Sequence, residues 1–342
     1  MGNPRSISSP NGHISIAYVV GKFLGTYSLM VMLALLFAIF ATVNKNFLTL
    51  ANLKALLEQN SVLAIIAVGM TFALISRNMD LAPGSIIVLS DVIIGLVFTC
   101  TGNIWLGIVC GMLTAIVVDL FDGLLIGKVG MDPLIVTLAA WIWARGLAIS
   151  LTRANSIVVR DPVVTFLNSA QVLGITPPIV LIVVGFAFGW FVLNRTRLGR
   201  YTYALGGDER AARQAGIDTG LYKVLLFAML GLLAGMGSVV TLSRLGAAAP
   251  DATYGLELDA IVSVIIGGNP FQGGEGSLRR TAFGVLFIAV LNNGLSTLGM
   301  RDASFYAYKG LTILIALSFD VISRQLLKGQ EPVAAVTDTM EA

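Results

Sequence analysis

Long apolar runs separated by short polar breaks dominate this chain. Residues 23–44, 59–76, 162–194, 224–243 and 281–300 contain no charged side chain. A helix of about 20 apolar residues crosses the hydrocarbon of a bilayer. Backbone groups in lipid must be satisfied within the segment, so such runs read as helices. The period-two alternation of an outer-membrane barrel is missing. The pattern predicts an all-α polytopic membrane protein of about ten transmembrane helices, at 23–43, 57–76, 84–100, 104–127, 133–152, 178–194, 221–243, 256–268, 281–299 and 305–324. The third and eighth are short for a full crossing, which predicts tilt, a break, or irregular backbone lining a cavity. The chain then divides into a tail at 1–22, a single transmembrane domain at 23–324 and a tail at 325–342.

Composition supports this class. Hydrophobic residues make up 56% and charged residues 12% of the 342 positions. A soluble protein carries about twice that charged fraction. No small-residue cleavage site clearly follows the first run, so a removed signal peptide is not expected. With the N-terminus in the cytoplasm, the breaks near 77–83, 128–132, 195–220 and 269–280 lie inside together with the C-terminal tail. That choice puts roughly twice as many of the 22 Lys and Arg residues inside as outside, as the positive-inside rule requires. Both termini are therefore expected to be cytoplasmic. The longest outside loop, 153–177, is expected to run extended and stiff because of Pro162, Pro177 and Pro178.

Small residues recur at four-residue spacing in Gly107/Gly111, Gly123/Gly127 and Gly231/Gly235, which lets helices approach closely. Cys100 and Cys110 sit in apolar text with no CxxC pair and are expected to be buried, inert thiols. The net charge of +3 gives no reason to expect a nucleic-acid partner.

Catalytic constellations are missing. GLLIGKVG lacks the spacing of a nucleotide-binding GxxxxGK[ST] loop, so the chain should bind no ATP itself. There is no HExxH or GxSxG, and the single histidine, His13, lies in the polar tail. No catalytic residue, resident cofactor or metal site is expected.

The polar segment LGGDERAARQAGI, 205–217, stands out between apolar runs. Asp208 can cap a helix start by accepting orphan N–H groups. Ala211, Ala212 and Ala215 allow close packing against a partner, and Gly216 suits a left-handed stop. Local chemistry fits an ordinary solvated connector as well as a docking element. Ionisable groups within or beside spans are Asp80, Asp91, Asp119, Asp122, Arg145 and Asp259. Such groups suggest function by default. Asp119 and Asp122 are placed near a helix end where water is close. For Asp91 and Arg145, a structural ion pair or interhelical hydrogen bond stands beside a relay role.

Three ordered segments resemble the permease subunits of bacterial ABC importers for ribose, xylose, galactose and related sugars. In AVGMTFALISRNMDLAPGSI, 67–86, the matching residues are Asp80, Leu81, Gly84 and Ser85. In GLLIGKVGMDPLIVTLAAWIWARGL, 123–147, they are Pro133, Thr137, Leu138, Arg145 and Gly146. In LGRYTYALGGDERAARQAGI, 198–217, they are Gly206, Ala211, Ala212, Gly216 and Ile217, with Asp208 where the family has Asn. LELDAIVSVIIGGNPFQGGEGS and LNNGLSTLG follow at family-like separation, and Arg280 stands where a glycine is usual.

The resemblance implies a type II ABC importer permease bundle in the bacterial inner membrane, paired with a second copy or a paralogue. An ATPase subunit that uses ATP and Mg²⁺ would dock below, and a periplasmic sugar-binding protein above. Gly206, Gly207, Asp208, Arg210, Ala211, Ala212, Arg213, Ala215 and Gly216 would form the ATPase-coupling element. Asn78, Asp80, Ser85, Asp91, Thr137, Arg145, Asn292 and Asn293 are candidates for the translocation path, though each can equally serve a helix–helix hydrogen bond. The competing readings are an ion-coupled secondary transporter working through Asp91 and Arg145, and a membrane scaffold.

Overall fold

The computed structural model describes residues 16–170, 175–300, 304–315 and 318. The expected tails fall mostly outside these residues. Helix α1 (Ile16–Val43) begins inside the stretch assigned to the first tail.

The bundle is built around α3 (Ser61–Ile75), whose fifteen residues are all buried. Its text, SVLAIIAVGMTFALI, is apolar on every face, and a helix without a polar stripe belongs in the interior. Helices α8 (Pro177–Arg195), α11 (Thr219–Leu245), α12 (Leu256–Ile266) and α13 (Leu278–Thr297) pack on it, and α4 (Pro83–Thr101) packs on α11. On the periphery are α5 (Ile104–Leu124), α6 (Pro133–Thr152) and α8. About 72% of the most apolar stretch of α11 is buried, against 28% for α6 and for α8. The outer faces of these peripheral helices carry exposed Trp105, Val109, Leu113, Ile142 and Phe191, a surface suited to lipid or to another helix.

Five described helices are long and apolar enough to cross a membrane, and the α2–α3 pair makes a sixth if counted as one bent span. Sequence predicts one helix over 57–76. The structure instead has α2 (Leu50–Gln59) and α3 meeting at 48°. Asn60 Nδ2 donates to the Leu56 carbonyl at 2.8 Å and Ser61 Oγ to the Glu58 carbonyl at 2.7 Å. Such local side-chain bonds compete with the helical ladder and bend it. Arg244 Nη1 donates to the Gln59 carbonyl, 2.9 Å away.

The third predicted span is not short: α4 has nineteen residues. The eighth is short, since α12 has eleven. At 1.5 Å per residue it covers about 16 Å, half the hydrocarbon thickness. The chain before it, from Gly246 to Gly255, is irregular except for Ala247–Ala248, which pairs antiparallel with Ile157–Val158. This two-residue pairing is a departure from an all-α chain. The 153–177 loop, expected to run extended, is not simply so. It folds α7 (Pro162–Ser169), with Pro162 at the first helical position and Asp161 capping Val163 N at 2.8 Å.

Glycines bring helices to backbone contact, as their spacing predicts. A Cβ on Gly123 would lie 2.8 Å from Phe227 Cβ, and one on Gly231 2.7 Å from the Ala115 carbonyl. Gly107 and Gly111 face Ile94 and Ser90 in the same way. The cysteines depart from expectation: Cys100 is exposed and Cys110 half-buried, because the α4 end and the outer face of α5 point away from the bundle. Asp119 and Asp122 are not near water either. Helix α11 packs on α5 with Gly231 against Asp119 and with Val224 and Phe227 against Gly123, and Asp119 and Asp122 are 0% and 2% exposed.

Replacing Gly231 by Leu forces side-chain atoms into the α5 backbone and is expected to cost about 1–3 kcal/mol. It should appear as a lower unfolding midpoint in detergent. Gly146→Ala, where an added Cβ meets nothing within 4 Å, should leave that midpoint unchanged.

Candidate functional site: a capped surface helix and a polar interior

Two short helices connect α8 to α11. They are α9 (Arg197–Gly207) and α10 (Glu209–Gln214), and Asp208 ends one and starts the other. Asp208 Oδ1 accepts from Arg210 N at 2.8 Å and Ala211 N at 3.0 Å, the predicted cap. These two backbone bonds hold the Asp208 carboxyl below its ordinary value. Asp218 caps α11 in the same manner, accepting from Leu221 N at 2.8 Å. Burial works against the Glu209 charge, but the Lys223 ammonium at 2.9 Å and the Arg213 guanidinium at 3.2 Å outweigh it, so this carboxyl is also held low. Gly216 closes the element with φ +85°, a conformation that favours glycine.

The coupling candidates divide by where they point. Gly207, Asp208, Arg210, Ala211, Arg213, Ala215 and Gly216 are exposed. Ala212 is buried against Leu205 and Tyr222, so it anchors α10 rather than offering it to a partner. Gly206 is buried as well. A Cβ there would strike the backbone of Ile75 and Gly274, whose own N–H donates to the Ile75 carbonyl at 2.8 Å. Gly206 therefore lets α9 lie against the end of α3 and the 267–277 connector. Tyr203 Oη donates to the Gly276 carbonyl at 2.8 Å and adds to this clasp. Beside α10 lies a cleft of about 750 Å³, lined by Ile126, Met131, Glu209, Arg210, Arg213 and Lys223.

The interior candidates fall into separate groups. Arg145 Nε donates to Ser85 Oγ at 3.2 Å. Its Nη1 reaches the carbonyls of Pro250 at 3.4 Å and Ala252 at 3.3 Å, and the guanidinium stands 5.5 Å from the Tyr254 ring centre. Trp141 Nε1 donates to Glu257 Oε1 at 3.0 Å, and Thr253 Oγ1 to the Gly84 carbonyl at 2.9 Å. Ser85 and Arg145 thus belong to one network that ties α4 and α6 to the strap 250–257. Asp91 is buried, but among the described residues no ion pair links it to Arg145.

Asn292 and Asn293 form a second group near the α2–α3 bend. Asn292 donates to Asn60 Oδ1 at 3.3 Å, while Asn293 and Asn52 exchange bonds of 2.9 and 3.2 Å. The remaining candidates bond locally. Asn78 donates to the Ser76 carbonyl, Asp80 accepts from Ala82 N, and Thr137 donates to the Pro133 carbonyl. Sequence reasoning missed Glu257, Trp141, Thr253 and Asn60. Glu257 carried one signal, an acidic residue next to Asp259 in a span already too short.

If Asp208 organises α10, Asp208→Ala should speed hydrogen exchange at the Arg210 and Ala211 amides, and Asp208→Asn should retain most of the protection. Because the folded carboxyl sits below its unfolded value, its contribution is present above about pH 4 and fades as pH falls through the lowered folded value.

Residues 52–317 match the family model described as the branched-chain amino acid transport system / permease component. The chain is 32% identical over 295 residues to the ribose import permease protein of Escherichia coli K12, covering 85% of this chain and 92% of that protein. It is 37% identical over 303 residues to the ribose import permease protein of Bacillus subtilis 168, covering 88% and 92%. It is 31% identical over 313 residues to the L-arabinose transport system permease protein of Escherichia coli K12, covering 92% and 95%. The search of solved structures found no significant match. Nothing in these findings supports an ion-coupled carrier. The chain belongs to the permease family of ABC sugar importers, and it is a multi-pass membrane transport subunit, not an enzyme.

Proposed function

We propose that this chain is the membrane gate of a monosaccharide importer in a bacterial inner membrane, opened and closed by a separate ATPase subunit that grips α10. The observation that carries the reading is the exposed, doubly capped α9–α10 element at one end of the bundle, with Arg210, Ala211 and Ala215 on its outer face. Small residues permit close fit in a partner's cleft, and Arg210 supplies a cation for an acidic partner. ATP and Mg²⁺ are used by that partner, and no cofactor is held by this chain. The clasp of α9 on the end of α3 and on the 267–277 connector gives a path for a push on α10 to reach the central helix.

We read α1, the bent α2–α3 pair, α4, α5, α6, α8, α11, α12 together with the irregular strap before it, α13 and 304–315 as the ten crossings. That arrangement puts the 195–220 connector and both tails in the cytoplasm and the 153–177 loop toward a periplasmic sugar-binding protein. The exposed apolar faces of α5, α6 and α8 would meet lipid and a second permease, identical or paralogous. The named relatives carry ribose and L-arabinose, which favours a monosaccharide as cargo here.

Replacing Ala211 by Trp should abolish sugar uptake by the assembled transporter and lower co-purification of the ATPase, with normal membrane insertion. Ala212→Trp is the wrong test, because that side chain packs inward and its enlargement would disturb the helix itself. Uptake and ATPase retention equal to the parent in Ala211→Trp would overturn the coupling role.

A further inference from the structure

The helix at 304–315 meets the bundle through a charge. Among these residues Lys309 alone is buried, while Tyr306, Tyr308, Leu311, Leu314 and Ile315 are each more than half exposed. The Lys309 ammonium donates to Asp259 Oδ2 at 2.5 Å and stands 5.6 Å from the Phe305 ring centre. Phe305 and Ile313, one turn to either side, rest partly buried against the core. A charge within a membrane bundle is costly and marks function by default. Packing alone does not call for one here, because an apolar pair of similar volume is often as stable as a buried ion pair.

Asp259 lies in the first turn of α12. The other end of α12 runs into the 267–277 connector, which α9 clasps through Gly206 and Tyr203. Asn269, 1% exposed, binds this connector to both helices that it joins. Its Nδ2 donates to the Val264 carbonyl of α12 at 2.9 Å and to Thr281 Oγ1 of α13 at 3.0 Å, and its Oδ1 accepts from Ser277 N at 2.7 Å. Gly284 of α13 lies directly against the Ser263 carbonyl of α12. The connector, α12 and the start of α13 thus form one braced unit. About 10 Å of helix, from Ile266 to Asp259, separates the clasped end of that unit from the residue that holds Lys309.

We propose that the Asp259–Lys309 pair is a positioning link. Movement imposed on α9 and the connector passes along α12 and across the ion pair to the helix at 304–315, which shifts as a working part of the gate. The link rests on the reading of α10 as the grip of the ATPase. An ion pair suits the task, because parting it would leave two uncompensated charges inside the bundle, so the two helices keep together as either one moves.

The test uses the complete transporter, with binding protein and ATPase, in liposomes supplied with D-ribose, L-arabinose or D-allose. Sugar moved per ATP hydrolysed is measured. Asp259→Leu combined with Lys309→Met removes both charges and leaves neither unpaired. In that variant the ratio should fall at least ten-fold while ATP hydrolysis stimulated by the loaded binding protein persists. The charge swap, Asp259→Lys with Lys309→Asp, should recover most of the ratio. An apolar double variant that transports like the parent overturns the link, since a pair serving stability alone is replaced without loss. A second measurement stays readable if that variant fails to insert. With Tyr306→Cys, and with Cys100 and Cys110 replaced by Ser, a small maleimide should react at rates several-fold apart in the nucleotide-free complex and in the complex held with ATP and vanadate. Equal rates in the two states overturn the shift of the helix. Failure of the underlying reading shows separately: if Ala211→Trp keeps uptake and ATPase retention, the grip on α10 falls, and with it the movement that the link would carry.

Discussion

A carbonyl that leaves a helix inside a membrane protein must find a donor, or it costs several kcal/mol. Arg145 meets this constraint for the strap before α12. Its guanidinium bonds the carbonyls of Pro250 and Ala252, lies against Tyr254 and reaches Ser85 at the start of α4. With the strap held, α12 can begin late and still sit beside α4, where Glu257 takes the Trp141 indole N–H and Thr253 takes up the Gly84 carbonyl. The charge in α6 thus serves the backbone of a neighbouring segment. It is not a relay partner for Asp91.

The opposite end obeys a different constraint, that of close approach. Gly206 has no room for a side chain against Ile75 and Gly274, and Ala212 is buried under α10. Both residues belong to the motif read from the sequence as a docking element, yet neither faces outward. Gly206 seats α9 on the central helix and Ala212 seats α10 on Leu205 and Tyr222, while Arg210, Ala211 and Ala215 are exposed. Small residues at this end divide in a way that a motif cannot show: some bring the element close to its own bundle, and others lie exposed.

The family assignment rests on relatives aligned over most of the chain, and the geometry adds how this chain realises that role. The bonds at Asn52, Asn60, Asn292 and Asn293 run between helices that meet at the α2–α3 bend. The polarity at that end therefore holds helices together.

Much of the architecture was legible in the residues. Long apolar runs located the membrane-length helices, Asp208 announced a cap, the shortness of the eighth span foretold irregular backbone, and the paired glycines marked where α5 meets α11 and α4. These are local properties: run length, capping chemistry and spacing act within a few residues. Only the tertiary structure decided the bend at Asn60, the burial of Asp119 and Asp122 beneath α11, the inward turn of Ala212 and the union of Arg145 with the strap instead of Asp91. Each depends on which distant segment comes to lie alongside, and a side chain's partner across a bundle is set by the packing of whole helices, which local spacing does not encode.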